Sequence, residues 1–282
     1  MYPGGQALNF AAYARTLGIH SEYLGVFGTD AVAAHVKQTL DKLGIPYPRC
    51  RTYPGENGYA KVTIENGDRV FCGSNKGGVL QGHYLQLSQA DLDYIAKFSV
   101  VHTTNNAFFD VQLPKLRPLD VFVSYDFSIR WTEADRIGRV APYIDAAFLS
   151  CGDLPETDIR VVCSDLYARG VKLICATRGS KGSLTYDGAR FYAQPPVYVD
   201  AIDTMGAGDS FATALLVELG QALTKDGKTA WYDPQWREQT LEKALRHAAA
   251  FAAKTCLTDG AFGYGVPVPA ELSDRLLQSQ KT

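Results

Sequence analysis

The residues whose types and spacing could do chemistry are Asp203-Thr204-Met205-Gly206-Ala207-Gly208-Asp209-Ser210. An apolar, β-prone run at 197–202 precedes them, and a helical pattern at 210–223 follows. The spacing predicts a strand, a glycine turn and a helix meeting at one point. Gly206 and Gly208 let the backbone turn tightly. The free N–H groups and positive dipole end of the new helix then face one spot, which suits phosphate or a developing anion. A carboxylate would repel such a ligand, so Asp209 suggests chemistry: a base or positioning group beside a phosphate. Taken alone, the eight residues also fit a glycine-rich helix start with an ordinary first-turn acid.

Phosphoryl transfer fits this combination, because there the protein mainly positions groups and stabilises spread negative charge. Asp209 is the candidate base for a substrate hydroxyl. The N–H groups of Ala207 and Gly208 are the expected anion hole; losing one such donor costs about 10²-fold or more in rate. No G-x-x-x-x-G-K-[ST] occurs, which excludes a P-loop enzyme. Thr177-Arg178-Gly179-Ser180-Lys181-Gly182 could bend around nucleotide phosphates, or could be a plain turn between strands. Near the start, Gly4, Gly5 and Asn9 could touch a hydroxylated ligand; a surface amide beside a loop fits equally.

The elements that must position these groups follow from periodicity. A helical stripe at 8–17 stops at Gly18, and a short strand at 23–27 leads through Gly28-Thr29-Asp30 to a helix at 31–43. Between about 45 and 79 alternation replaces helical period, and Asn66-Gly67 signals a tight hairpin. This reads as a small β appendage, a flap over a site. Ser88 with Asp91 resembles a capping box for a helix to 98. Strand–helix alternation follows, with strands at 99–103, 121–125, 146–149, 171–176, 183–187 and 190–192 and a helix near 110–116. Repeated βα units imply an α/β fold whose mostly parallel sheet is covered by helices, with ligands beyond the strand C-termini. Asp126, Asp153, Gly179 and Asp209 should then share one rim. The polar segment 224–239 reads as a long loop or insertion. An alanine-rich helix at 240–255 packs closely on the sheet or, at Ala249, on a flat nucleobase. The tail at 270–282 reads as a terminal helix.

Composition bounds the rest. The chain has 282 residues, 46% hydrophobic and 21% charged, with 28 basic against 30 acidic residues. That is an ordinary globular balance, large enough for one domain, and it gives no reason to expect nucleic acid or an anionic membrane as partner. Six scattered cysteines without a C-x-x-C pair point to reduced thiols. No apolar run approaches the ~20 residues of a membrane span. The first residues lack a signal peptide pattern, so a cytoplasmic protein is expected.

These motifs together resemble the ribokinase-like sugar kinases of the phosphofructokinase B family. Gly4-Gly5-x3-Asn9 with Gly18 and Gly28 is similar to the family's first signature, and Asp203 to Ser210 to its second. The resemblance covers nearly the whole chain, with a three-layer αβα core and a β lid at about 45–79 in a single domain. Asp68-Arg69-Val70-Phe71 and Asp126-Phe127-Ser128-x2-Trp131 look most like the family's fructoselysine 6-kinase branch. The resemblance implies ATP, Mg²⁺ and transfer to a sugar primary hydroxyl, with a fructosamine as the first expectation. Fructose or 2-keto-3-deoxygluconate is the alternative acceptor, and a non-catalytic sugar- or nucleotide-binding regulator the alternative from another class. It implies Asp209 as base, Gly206-Ala207-Gly208 as anion hole, and Gly4, Gly5 and Asn9 on the sugar, with Asn75 and Lys76 reaching from the lid. Thr177, Gly179, Lys181, Gly182 and Ala249 would lie along the nucleotide, and Asp203 where relatives place a monovalent cation such as K⁺. Two departures stand out. Ser150-x-x-Asp153 replaces the relatives' Asn-x-x-Glu, leaving Asp153, or Glu156, as the metal candidate. The relatives' first strand, with its acidic sugar contact, does not appear ahead of the Gly-Gly helix: either the start is internal to a longer protein or the sheet lacks a central strand, and the expectation is that a neighbouring element fills the gap or that the chain folds poorly and transfers phosphate weakly. A homodimer through the lid is a further expectation.

Overall fold

The computed structural model describes residues 1–65, 68–270 and 272–273. Its main sheet contains β5 (Val100–Thr104), β6 (Phe122–Ser128), β7 (Ala146–Ser150), β8 (Leu173–Thr177), β9 (Ser183–Tyr186) and β10 (Phe191–Gln194), in the order β10-β9-β8-β7-β6-β5. The strands β5 to β8 run parallel, and β9 and β10 complete the sheet as antiparallel neighbours. Parallel strands are buried on both faces, and the side chains divide by alternation. Tyr125, Phe127, Ala147, Leu149, Ile174 and Ala176 join one apolar cluster with α5 (Glu156–Ala168). Ala146, Phe148, Leu173 and Cys175 face the other way, onto α6 (Ala207–Asp226) and α7 (Pro234–Thr255). These are the three expected layers.

Before the sheet come α1 (Gln6–Thr16) and α2 (Ala31–Leu43), which share a smaller cluster around Leu8, Ala12, Phe27 and Leu40. The strand foreseen at 23–27 shrinks to β1 (Val26–Phe27), paired in parallel with β2 (Arg51–Thr52) and separate from the main sheet. The flap is the antiparallel pair β3 (Ala60–Glu65) and β4 (Asp68–Ser74), whose connecting Asn66-Gly67 lies outside the described residues. Its base docks on the body through glycines. A Cβ on Gly28 would lie 2.5 Å from Asn57 N, and one on Gly78 2.3 Å from Glu56 O. The Ser88–Asp91 capping box is present on α3 (Gln89–Ile95). All six cysteines are free.

Four expectations need correction. The run 197–202 forms no strand: Val197, Tyr198, Val199 and Ile202 are exposed. Pro195-Pro196 just ahead lack N–H donors for a ladder, and β10 already closes that edge of the sheet. The segment 224–239 is not a loop insertion; it is the end of α6, a 3-10 turn at Lys228–Tyr232 and the start of α7. Asp233 caps α7 by accepting the N–H groups of Gln235 and Trp236, with Pro234 at the first helical position. The segment at 110–116 is a 3-10 helix containing Pro114. Finally, among the described residues no element fills the space beside β5. The main sheet ends there, and an apolar cleft of about 750 Å³ runs between β5, α1, α6 and the chain at 19–26. The expected terminal helix falls mostly outside the described residues, which there are Ala270, Leu272 and Ser273.

Candidate active site

The glycine turn before α6 is built by contacts that only glycine permits. Gly206 caps the helix in the left-handed region at φ 78°, and a Cβ there would meet Tyr13 Oη at 2.6 Å and Ala261 Cβ at 2.8 Å. Asp203 ties the incoming chain down: Oδ1 accepts the Met205 N–H at 2.9 Å and Oδ2 the Gly260 N–H at 2.6 Å. The N–H groups of Ile202 and Asp203 both donate to Cys256 O at the end of α7. Hence a loop without strand support is still held rigidly in front of the helix.

Asp209 lies in the first turn of α6, 8% exposed. Asn9 Nδ2 donates to its Oδ2 at 2.6 Å, linking the Gly-Gly helix α1 to the second motif. Burial pushes the Asp209 carboxyl up to about 6, and the Asn9 hydrogen bond partly offsets this. The carboxylate therefore remains mostly ionised at pH 7 yet is more basic than an exposed one. The two N–H groups expected to form an anion hole, those of Ala207 and Gly208, differ in their bonding. The Ala207 N–H donates to Thr204 O at 3.2 Å, whereas among the described residues the N–H groups of Gly208 and Asp209 have no partner. Those two donors point from the helix start beside the Asp209 carboxylate, and an added Cβ on Gly208 would meet nothing within 4 Å.

The sugar-side glycines behave similarly. Gly5 caps α1 at φ 105°, and Asn9 N donates to Gly5 O at 2.8 Å. Three residues that the motif reading did not assign as site residues join them. Gln6 Nε2 donates to Asp126 Oδ2 at 2.7 Å, and Asn106 Nδ2 donates to Gln6 Oε1 at 2.9 Å. Asp126 sits within the last residues of β6 rather than after it, and is 8% exposed. Burial and, second, the charge of Asp209 push its carboxyl up to about 7. Gln6 was legible in principle, because it stands three residues before Asn9 on the same face of α1. Asn106 carried no signal; only the fold brings it near.

The remaining candidates separate into two groups. Asn75 is used by the lid itself: its Oδ1 accepts the Tyr59 N–H at 2.9 Å and its Nδ2 donates to Asn57 O at 2.7 Å. Both ends bond to backbone, which ties Asn75 to the base of the flap. Lys76 is exposed, at a positive φ of 54°. On the far rim, Thr177 ends β8 and donates to Leu149 O at 3.2 Å. Gly179 at φ 56° opens onto free space, while a Cβ on Gly182 would meet Gln194 O at 2.1 Å. Gly182 is therefore a tight-turn residue and Gly179 leaves room for a ligand. Lys181 pairs with the exposed Asp153 at 2.6 Å. Glu156 is paired with Arg160 at 2.7 Å and Arg178 at 3.5 Å. Among the described residues no group of three or more His, Cys, Asp or Glu side chains could hold a metal alone. Ala249 is 6% exposed, within the apolar contact of α6 and α7. Among the described residues no helix is long and apolar enough to cross a membrane.

Comparison with known proteins agrees with this layout. The model of the pfkB family carbohydrate kinases matches residues 1–264. The chain is 41% identical over 271 residues to a protein described as fructosamine kinase FrlD from Bacillus subtilis (strain 168), covering 96% of this chain and 89% of that one. It is 30% identical over 261 residues to fructoselysine 6-kinase of Escherichia coli (strain K12), covering 93% and 92%. The solved structure of Arabidopsis thaliana ribokinase complexed with ribose and ATP superposes with a TM-score of 0.73 at 21% identity, over 93% of this chain and 83% of that one. The ribokinase-like fold, the two glycine motifs and the family match together place the chain in the pfkB family of carbohydrate kinases, as a sugar phosphotransferase.

Proposed function

We propose that this kinase transfers the terminal phosphoryl group of ATP to a primary hydroxyl of a fructosamine such as fructoselysine. The observation that carries the reading is Asp209. It is buried, its carboxyl is raised to about 6, and it stands beside two unused N–H donors at the start of α6. The two relatives named above, one described as a fructosamine kinase and one as a fructoselysine kinase, support the acceptor.

In this reading Asp209 accepts the proton of the sugar hydroxyl as its oxygen attacks phosphorus. The Gly208 and Asp209 N–H groups and the helix dipole face the charge that builds on the transferred group. Gly4, Gly5 and Asn9 seat the sugar, and the β3–β4 flap covers it. The nucleotide lies along 177–182, with Gly179 leaving room and Lys181, paired with the exposed Asp153, supplying a cation on that rim. Ala249 contributes to the packed floor behind the adenine rather than a polar contact. Mg²⁺ bound mainly by phosphate oxygens and water needs only one or two protein carboxylates, and would supply charge neutralisation there. Asp153 and Glu156 are the carboxylates on that rim, each reached through a basic side chain. Asp203, with both oxygens engaged by backbone N–H groups, positions the loop; a monovalent cation beside it would add to that role.

The test is a coupled ADP assay with fructosamines, fructose and 2-keto-3-deoxygluconate. Wild type should turn over a fructosamine, and Asp209→Asn should lose at least about 10³-fold in kcat, within the range of general base and positioning effects. Unchanged turnover by that variant would defeat the assignment. Saturable sugar binding without ADP release would make the protein a regulator.

A further inference from the structure

Two carboxyl groups, not one, are closed into the site, and neither has a basic partner. Asp126 Oδ2 accepts from Gln6 Nε2 at 2.7 Å and Oδ1 from the Ser128 N–H at 2.7 Å. Among the described residues neither Asp126 nor Asp209 forms an ion pair with lysine, arginine or histidine. Several other buried or half-buried carboxylates of this fold do. Asp91 is held by Arg49 at 2.7 Å and Arg51 at 2.6 Å, Asp110 by Arg136 at 2.7 Å, and Asp187 by Arg237 at 2.6 Å. A buried charge without a partner is costly. Asp203, buried beside the same turn, is instead held by the N–H groups of Met205 and Gly260, whereas Asp126 and Asp209 each rest on one side-chain amide.

A second observation points the same way. Asn9 is 3% exposed, and its Oδ1 has no hydrogen-bond partner. Its Nδ2 is committed to Asp209, and a Cβ on Gly4 would stand 3.7 Å from Oδ1, so the free acceptor faces the Gly4–Gly5 cradle. The Gln6 amide is also fixed. Asn106 donates to its oxygen at 2.9 Å, which turns its NH₂ toward Asp126 and keeps the carboxylate in place. The wall thus offers acceptors and negative charge. A sugar hydroxyl both donates and accepts and is neutral; an ammonium group only donates and carries the missing charge.

We propose that Asp126 is the residue that recognises the protonated secondary amine of a fructosamine, while Asp209 meets the primary hydroxyl at the other end of the same sugar. The proposal rests on the fructosamine reading above. Gln6 and Asn9, which hold the two carboxylates, stand one turn apart on α1, about 5–6 Å between Cβ atoms, a spacing on the scale of a hexose. Fructose carries a hydroxyl where the fructosamine carries the amine, so the choice between them becomes electrostatic. An ammonium group there would also offset the burial and, second, the Asp209 repulsion that raise the Asp126 carboxyl.

The test compares a 1-deoxy-1-alkylamino-fructose with the 1-O-alkyl-fructose of the same shape, at pH 7.5, in wild type, Asp126→Asn and Asp126→Glu. Wild type should favour the amine about 10²-fold in kcat/KM, the scale of a buried charge–charge contact. Asp126→Asn should erase most of that ratio through the KM of the amine, and Asp126→Glu should restore part of it. Equal turnover of the two compounds by wild type overturns the role of Asp126 while leaving the kinase reading intact. So does Asp126→Asn slowing both compounds by one common factor. Wild type that phosphorylates another sugar but neither of these removes the fructosamine reading itself, and this inference with it. The wild-type ratio requires no variant, so a ratio near one is decisive even if Asp126→Asn does not fold.

Discussion

Asp209→Asn should make the protein more stable while removing its activity, and the size of the effect follows from burial. The group is 8% exposed, and its carboxyl is raised from 3.8 to about 6 by desolvation. A raised carboxyl pKa means that the folded state binds the proton more tightly than the unfolded state. Stability is then unaffected below about pH 4 and is progressively lost as pH rises through the window between 3.8 and about 6. At 1.36 kcal/mol per pKa unit, the ionised Asp209 costs about 3 kcal/mol at pH 8 and about 0.5 kcal/mol at pH 4. Asparagine carries no charge to desolvate, and its amide oxygen can still accept from Asn9. The variant should gain about 3 kcal/mol at pH 8, or ~5 °C in Tm for a chain of this size. The measurement is calorimetric or fluorescence melting of both proteins at pH 4.5, 6 and 8, beside the ADP assay. A Tm gain that is the same at all three pH values, or absent at pH 8, would refute the argument that this carboxylate is held charged against its environment. Loss of activity without that pH-dependent gain would locate Asp209 in solvent.

Further expectations can be checked separately. The acidic limb of kcat/KM for the 1-O-alkyl-fructose, which makes no use of the Asp126 charge, should fall near pH 6, where Asp209 takes up its proton; a limb near pH 4 would dismiss Asp209 as the base. Asn9→Leu removes the one side-chain hydrogen bond that lowers the Asp209 carboxyl, so that limb should move to higher pH, read from the same profile. Gly206→Ala forces a Cβ onto Tyr13 Oη at a φ of 78°; it should lower stability by about 1–3 kcal/mol and reduce kcat by at least an order of magnitude, as read from melting curves and the ADP assay. Asp91→Asn strips two arginine partners from a fully buried carboxylate. It should cost about 3–5 kcal/mol in urea unfolding at pH 7. Because Asp91 is held below its ordinary range, that difference should shrink as pH falls below about 4. With Phe71 67% exposed on the flap, subunits are expected to pair through the lid; a monomer mass by light scattering would remove this.

Local chemistry made much of this protein legible from its sequence. The two glycine motifs, the Ser88 capping box, the alternation of β3 and β4, and the order of strands β5 to β10 depend on neighbours close along the chain or on short periodicities. Asp209 was identifiable because a helix start and a carboxylate conflict unless chemistry requires both. The errors came where partners are distant. The run 197–202 has strand-like residues but no free sheet edge to join. The 224–239 segment looked polar because its tryptophans and Asp233-Pro234 cap serve a helix that packs on α6. What only the tertiary structure decided is the electrostatic character of the site. The strand-end rule puts Asp126 and Asp209 on one rim, but no sequence rule adds Gln6 and Asn106 or fixes which amide holds which carboxylate, since those contacts span 100 to 200 residues. Nor does any rule exclude a lysine or arginine from their midst. Charge and hydrogen bonding act through space over a few ångströms, so their balance is settled by packing rather than by order along the chain.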